Sequence, residues 1–146
     1  AAKAAQLPAL ADDSGLSVAA LGSKPGVYTA DWAERQWFEG EPGRDWYMAM
    51  GKVEGKLAEL GPDAPREGHF ACVLAIAWPD GDHLVYEGRA TGTLTWPPRG
   101  KLGFGYDPVF EDLASGRTAA ELPDQEKNRR SHRAAALRAL LEALRR

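Results

Sequence analysis

Two adjacent carboxylates and a hydroxyl stand together in the segment Asp12-Asp13-Ser14-Gly15. The segment follows a short run typical of a strand, Leu7 to Leu10. Two carboxylates at a strand end are costly unless a cation or another positively charged partner lies beside them. Mg²⁺ is held by one or two carboxylates together with substrate phosphate oxygens, and a carboxylate there could also deprotonate a water molecule. The alternative is an ordinary Asx turn, in which Gly15 takes a positive φ.

An aromatic ring flanked by glycines occurs in Gly103-Phe104-Gly105-Tyr106-Asp107-Pro108. The glycines would let a flat ligand approach the backbone closely, and an aromatic face on such a loop can stack a base. Asp107 could accept hydrogen bonds from the nitrogens of that base. In the alternative, Phe104 and Tyr106 fill the core beneath a glycine-rich turn.

The densest basic stretch runs from Lys127 to Arg133. Five positions separate Lys127 from His132, so one unbroken helix would not direct both at the same ligand. Ser131 is instead predicted to be the N-cap of a final helix, with His132 and Arg133 in its first turn. The helix dipole makes cations unfavourable at this position unless an anion or an electron-rich oxygen lies nearby. A nucleotide would supply both. The alternative is a solvated basic face.

The remaining candidates are interpreted as structural. His69 and His83 flank strands without the spacing of metal ligands, and Cys72 lies in a buried type of run. Three tryptophans are expected to line a core or an interface: Trp32, Trp37 and Trp46.

The chemistry-bearing segments lie between recognisable helices and strands. Helix is predicted at the start, ending at Ala5, and over Arg44 to Leu60 from its apolar spacing. The runs His69 to Trp78 and His83 to Thr95, separated by Pro79-Asp80-Gly81, predict a hairpin. A short strand at Val109 and Phe110 follows, and the C-terminal segment is expected to be a helix with four leucines on one face: Leu137, Leu140, Leu141 and Leu144. This order predicts one α/β or α+β domain.

Composition narrows the class of protein. A chain of 146 residues suits a single domain, and a net charge of −3 argues against binding a nucleic acid polymer. The one cysteine cannot form an internal disulfide, which favours a reducing compartment. No apolar run reaches the length of a membrane span, and Ala1 to Leu10 does not resemble a signal peptide. A cytoplasmic enzyme is expected.

Taken together and in order, four segments resemble the inosine triphosphate (Ham1-type) pyrophosphatase family. They are Leu7–Leu16, Pro25–Ala30, Gly103–Phe110 and Glu126–Asn128 with Ser131–Arg133. The resemblance implies an elongated α/β fold with a mixed sheet, flanking helices and a nucleotide cleft between two lobes. It also implies magnesium dependence, a homodimer, and hydrolysis of inosine, deoxyinosine and xanthosine triphosphates to monophosphate and pyrophosphate.

The resemblance also implies roles for particular residues. Asp13 is similar to the catalytic carboxylate that binds magnesium and activates water, and Asp12 is expected beside it as a metal ligand. Ser14 resembles a phosphate or substrate contact. The base pocket is expected from Phe104, Gly105, Tyr106 and Asp107, with Phe104 stacking on the base. Contacts that favour a 6-keto purine are expected from Lys127, His132 and Arg133.

One departure from the family is expected to matter. Its members begin with a strand that leads into a glycine-containing loop holding the triphosphate, and this sequence contains no such loop. Residues 1–146 are therefore expected to form a single pyrophosphatase domain that lacks its N-terminal strand, loop and helix. Two alternatives remain: a nucleotide-binding module that does not complete catalysis, and a pyrophosphatase for other modified nucleotides.

Overall fold

A computed structural model describes residues 1–35 and 43–146 of the chain. The helices are α1 (Ala2–Ala5), α2 (Trp46–Glu59), α3 (Asp124–Arg130) and α4 (His132–Leu144). The strands are β1 (Ala9–Val18), β2 (Lys24–Pro25), β3 (Glu67–Ala77), β4 (His83–Leu94) and β5 (Phe110–Asp112). They form one sheet in the order β2-β1-β3-β4-β5. The predicted α/β class is confirmed, while Trp37 lies outside the described residues.

Each predicted element is present, with shifted ends. Strand β1 begins at Ala9, where a strand was expected over Leu7 to Leu10, and it continues to Val18. The acidic segment therefore lies inside a strand, and the Asx-turn alternative is wrong. Gly15 does not take a positive φ; it is needed for space, since a Cβ there would lie 2.7 Å from the Gly26 carbonyl oxygen.

The two long helices begin at side-chain caps. The Asp45 carboxylate accepts the Met48 N–H over 2.9 Å at the start of α2, and the Ser131 hydroxyl accepts the Ala134 N–H over 3.1 Å at the start of α4. Each cap satisfies a donor that has no partner within the helix. The predicted N-cap at Ser131 and the break between Lys127 and His132 are confirmed.

The chain divides into two compact units. Unit 1 consists of Ala1–Ser14, Phe70–Ala90 and Asn128–Arg146, and unit 2 of Gly15–His69 and Thr91–Lys127. In unit 1 a buried cluster joins β3 to α4: Cys72, Leu74, Ala136 and Leu140. The predicted C-terminal helix is confirmed. It buries Ala136 and Leu140, whereas the three other leucines of its apolar face are exposed: Leu137, Leu141 and Leu144.

Unit 2 has its own buried side chains. Helix α2 buries Ala49, Met50, Val53 and Leu57 along one face, as the spacing predicts. Leu60 lies beyond the last residue of the helix and is 55% exposed. None of the helices in the described ranges combines the length and apolar character needed to cross a membrane.

Candidate functional site

Strand β1 gives its two adjacent carboxylates different surroundings. Successive side chains of a strand point to opposite faces, so Asp12 and Ser14 share one face while Asp13 lies on the other. Among the described residues, no side chain makes a hydrogen bond or ion pair with the exposed Asp13 carboxylate. Asp13 is therefore open to a ligand, and the strand does not direct both carboxylates to one ion.

Asp12 is paired within unit 1. Its Oδ2 accepts a hydrogen bond from Arg133 Nε over 2.7 Å, and this bond lowers the pKa of the Asp12 carboxyl. The same bond raises the pKa of Arg133. A cation in the first turn of a helix needs a nearby anion, and the Asp12 carboxylate is that anion for Arg133.

The other Asp12 oxygen has polar neighbours as well. Ser14 Oγ lies 3.3 Å from Oδ1 and donates to it, and the Cys72 thiol donates to the same oxygen over 3.8 Å. Burial raises the pKa of the Cys72 thiol, so the thiol remains protonated at neutral pH. Cys72 is fully buried, in agreement with its structural interpretation.

The first turn of α4 is held against β3 and β4. The His132 ring stacks on Phe70 with centroids 5.1 Å apart and planes 24° apart. A Cβ at Gly88 of β4 would lie 2.2 Å from the His132 carbonyl oxygen and from the Ala136 nitrogen. Glycine at position 88 therefore allows the close approach that places His132 and Arg133.

The aromatic loop of unit 2 presents a ring to solvent. Gly103 and Gly105 take φ values of 71° and 64°, which glycine adopts at low cost. Phe104 between them is 67% exposed, so the core alternative is wrong for this ring. A Cβ at Gly103 would also lie 2.2 Å from Asp107 Oδ2, which leaves room only for glycine.

A lysine and a carboxylate accompany this ring. Lys127 Nζ donates to Asp107 Oδ2 over 2.5 Å and lies 5.1 Å from the Phe104 ring centroid. The Phe104 N–H donates to the same carboxylate oxygen over 3.0 Å. An ammonium has three N–H donors, so those not used by Asp107 remain for an acceptor on a ligand.

Tyr106 supports the loop from inside unit 2. It is 2% exposed, and its hydroxyl donates to the Thr29 carbonyl oxygen over 2.9 Å. Desolvation raises the pKa of the phenol. The Trp46 ring meets Tyr106 edge to face at 5.5 Å. Burial makes Tyr106 a support for the exposed ring of Phe104.

Sequence reasoning gave no role at this loop to Thr29 or Trp46. Thr29 belongs to the segment Pro25–Ala30, and its Oγ1 accepts the Leu16 N–H over 2.9 Å. The ring of Trp46 would contact a Cβ at Gly105 at 3.8 Å. The sequence feature that could have drawn attention to Trp46 is its position as the first residue of α2, directly after the N-cap Asp45.

The residue best suited to hold Mg²⁺ is Asp13, acting as a single carboxylate ligand. Within residues 1–35 and 43–146, no group of three or more His, Cys, Asp or Glu side chains is arranged to hold a metal ion. Mg²⁺ does not require one, because it takes one or two carboxylates and fills its remaining positions with water and substrate phosphate. The exposed carboxylate of Asp13 suits that mode of binding.

The predicted residues thus form two sets. Unit 1 holds Asp12, Asp13, Ser14, His132 and Arg133, and unit 2 holds Phe104, Gly105, Tyr106, Asp107 and Lys127. Within unit 1, Ser14, Asp12 and Arg133 are hydrogen-bonded together. Within unit 2, the Asp107 carboxylate accepts hydrogen bonds from both Phe104 and Lys127.

Comparisons with known proteins identify related sequences. Residues 1–143 match the model of the Ham1 family. A curated relative, the dITP/XTP pyrophosphatase of Brucella melitensis, is 52% identical over 88% of this chain and 57% of its own length. That of Ruegeria pomeroyi is 50% identical over 94% of this chain and 65% of its own length. The chain therefore spans roughly three fifths of these relatives.

Solved structures show the same similarity. A HAM1 protein from Coxiella burnetii matches with a TM-score of 0.85 and 43% identity, over 98% of this chain and 70% of that one. The Ham1 protein of Staphylococcus aureus matches with a TM-score of 0.84 and 35% identity, over 99% and 70% of the two chains. With a family match over residues 1–143, this chain belongs to the Ham1 family.

Proposed function

We propose that this protein hydrolyses non-canonical purine nucleoside triphosphates, such as those of deoxyinosine, inosine and xanthosine, to the monophosphate and pyrophosphate. The observation that carries the proposal is the Lys127 ammonium, held by Asp107 beside the exposed ring of Phe104. The names of relatives about 50% identical, dITP/XTP pyrophosphatases, support the same activity.

Base recognition is assigned to the aromatic loop of unit 2. A purine stacked on Phe104 would gain roughly 1–3 kcal/mol, as base–aromatic stacking does elsewhere. A 6-keto purine offers an acceptor oxygen to the free N–H groups of Lys127. Adenine offers an amino group at that position, which would give the N–H groups not used by Asp107 no acceptor and bring donor against donor. Sites that leave a buried polar group unpaired discriminate strongly.

Catalysis is assigned to Asp13. Water adds to phosphorus, the anhydride bond between the first and second phosphates breaks, and pyrophosphate leaves. The Asp13 carboxylate accepts the proton that the attacking water gives up. Asp13 would also hold magnesium, which when bound supplies positive charge to the phosphates. Ser14, His132 and Arg133 are proposed to contact the substrate.

We also propose that the protein is a homodimer in the cytoplasm, that its activity depends on magnesium, and that its ligand is a small nucleotide. The resemblance to the family supports the dimer and the metal. The single cysteine supports a reducing compartment, and the net charge of −3 supports a small ligand over a nucleic acid polymer.

The test is pyrophosphate release with magnesium from the triphosphates of deoxyinosine, xanthosine and adenosine. We expect kcat/KM for the first two to exceed that for ATP by at least about 100-fold. Lys127→Gln should reduce this ratio to within about tenfold of unity, whereas Lys101→Gln, a change at an exposed lysine near the same loop, should leave it unchanged.

Three other outcomes would contradict the proposal. Equal kcat/KM for ATP would remove the base preference. Binding of deoxyinosine monophosphate without any pyrophosphate release would support a non-catalytic binding module. Preference for a modified pyrimidine triphosphate would support the other enzymatic alternative.

A further inference from the structure

The carboxylate of Asp12 has a different task from that of its neighbour Asp13. Oδ2 of Asp12 is bonded to Arg133 Nε at 2.7 Å, and Oδ1 accepts from Ser14 Oγ and the Cys72 thiol. Both oxygens are therefore used by side chains of unit 1. A cation bound at Asp12 would have to share these oxygens with the three donors and stand beside a guanidinium of the same sign.

The pair leaves Arg133 able to bind a ligand. Only the Nε–H of Arg133 is used by Asp12, and a guanidinium carries four further N–H donors on its two terminal nitrogens. The Arg133 side chain is 50% exposed and that of Asp12 is 35% exposed. Asp12 thus fixes the inner edge of the guanidinium, while the outer edge remains accessible.

Holding the Arg133 side chain in one orientation lowers the free-energy cost of binding a ligand. A free arginine loses considerable rotamer entropy when it binds a ligand. A cation in the first turn of α4 is also opposed by the helix dipole. The Asp12 carboxylate offsets both costs, because it neutralises the charge and selects one orientation before the ligand arrives. Ser14, bonded to the other oxygen, is oriented by the same carboxylate.

We propose that Asp12 is a positioning residue, which orients Arg133 and Ser14 for the nucleotide, and that it is not a magnesium ligand. The inference rests on the proposed function for the identity of the nucleotide. It replaces the expectation that Asp12 and Asp13 together hold the metal. In the proposed arrangement, Asp13 alone of the two meets magnesium, on the opposite face of β1.

The test measures binding of deoxyinosine monophosphate in EDTA, where a metal ligand has no role. Asp12→Asn removes the negative charge while keeping the size of the side chain. We expect it to weaken metal-free binding about tenfold, as Arg133→Gln does, and the double variant to be no weaker than Arg133→Gln alone. Glu87→Gln, which breaks the comparable ion pair of Arg89 in unit 1, is the control and should change nothing.

Kinetics supply a second readout. Asp12→Asn should raise KM for deoxyinosine triphosphate about tenfold, change kcat by less than about threefold, and leave the magnesium concentration for half-maximal rate unaltered. Unchanged metal-free binding together with a tenfold or larger shift in that magnesium concentration would overturn the proposal. Additive effects of the two substitutions on binding would overturn it as well.

A third readout needs no ligand. Nuclear magnetic resonance of the Arg133 Nε–H should give a signal protected from solvent exchange, which disappears in Asp12→Asn and persists in Glu87→Gln. If the unsubstituted protein neither binds deoxyinosine monophosphate nor releases pyrophosphate, the proposed function fails. The Arg133 signal still decides whether Asp12 holds the guanidinium, and its absence from the unsubstituted protein would overturn the inference.

Discussion

Asp13 is exposed on β1, and no side chain among the described residues pairs with its carboxylate. Asp12, one position earlier, is tied to Arg133. A carboxylate that must accept a proton and meet a cation needs free oxygens, whereas one that orients a guanidinium needs occupied ones. The difference follows from the alternation of side chains along a strand.

The Asp12–Arg133 pair also has a consequence for stability. Because the hydrogen bond from Arg133 lowers the pKa of Asp12 below its ordinary value of 3.8, folding favours the ionised carboxylate. The stabilisation is fully present above that ordinary value, and it is lost as the pH falls through the lowered pKa of the folded state.

Asp13→Asn should lower kcat for deoxyinosine triphosphate by at least about 100-fold, because an amide cannot accept the proton of the attacking water. The melting temperature should change little, since the side chain is exposed. Pyrophosphate release and thermal melting monitored by circular dichroism measure the two effects. Glu67→Gln, at another exposed strand carboxylate, is the control, and normal turnover of Asp13→Asn would remove Asp13 from the catalytic role.

Contacts of individual residues were predictable where they are local. The cap at Ser131 and the separation of Lys127 from His132 depend only on neighbours in sequence. The Asp12–Arg133 pair joins residues 121 positions apart, and the Tyr106–Thr29 hydrogen bond joins residues 77 apart. No spacing in the sequence records such pairs, because they depend on how strands and helices pack.

Among the elements, β1 is the clearest case in which packing outweighs local preference. Asp and Gly disfavour strands, so Asp12 to Gly15 resembled a turn. In the sheet, β1 is hydrogen-bonded to β3, and to β2 at Ser17 and Val18, and this pairing outweighs the weak local preference. The hairpin of β3 and β4, rich in β-branched and aromatic residues, was predicted to within two residues of its observed ends.

Two glycines should respond to substitution in opposite directions. Gly88→Ala places a Cβ 2.2 Å from backbone atoms of α4 and should destabilise the protein by about 1–3 kcal/mol, as overpacking does. Gly55→Ala lies within α2, where an added Cβ meets nothing within 4 Å, and should stabilise it by about 0.5–1 kcal/mol. Urea denaturation measures both, and a neutral Gly88→Ala would mean that α4 does not approach β4 closely.

At the scale of the whole molecule, residue spacing predicted the order of helices and strands, whereas a division into two lobes was implied only by the resemblance to the family. Three of the cuts fall within strands, after Ser14, His69 and Ala90, and the fourth falls within α3, after Lys127. Hydrophobic periodicity reports which face of an element is buried, not which distant segment covers it. Which residues of α4 are buried depends on the segment that covers the helix, and β3 covers Ala136 and Leu140 while Leu137, Leu141 and Leu144 stay exposed.

Cys72 is the one cysteine of the sequence, and it is fully buried in the cluster that joins β3 to α4. Alkylation requires an accessible thiolate, and burial raises the pKa of this thiol. Iodoacetamide at pH 8 should therefore react at least about 100-fold more slowly with the folded protein than with the protein in urea. Equal rates would mean that α4 does not cover the thiol.

The alkylation rate of this buried thiol would measure how often unit 1 opens. Each alkylation event requires α4 to separate from β3, and these 146 residues contain no other cysteine that could react. A nucleotide that binds beside Asp12 and Arg133 would lengthen the interval between such moments. The labelling rate would then report occupancy of the site at a single atom, without a spectroscopic probe or an engineered reporter.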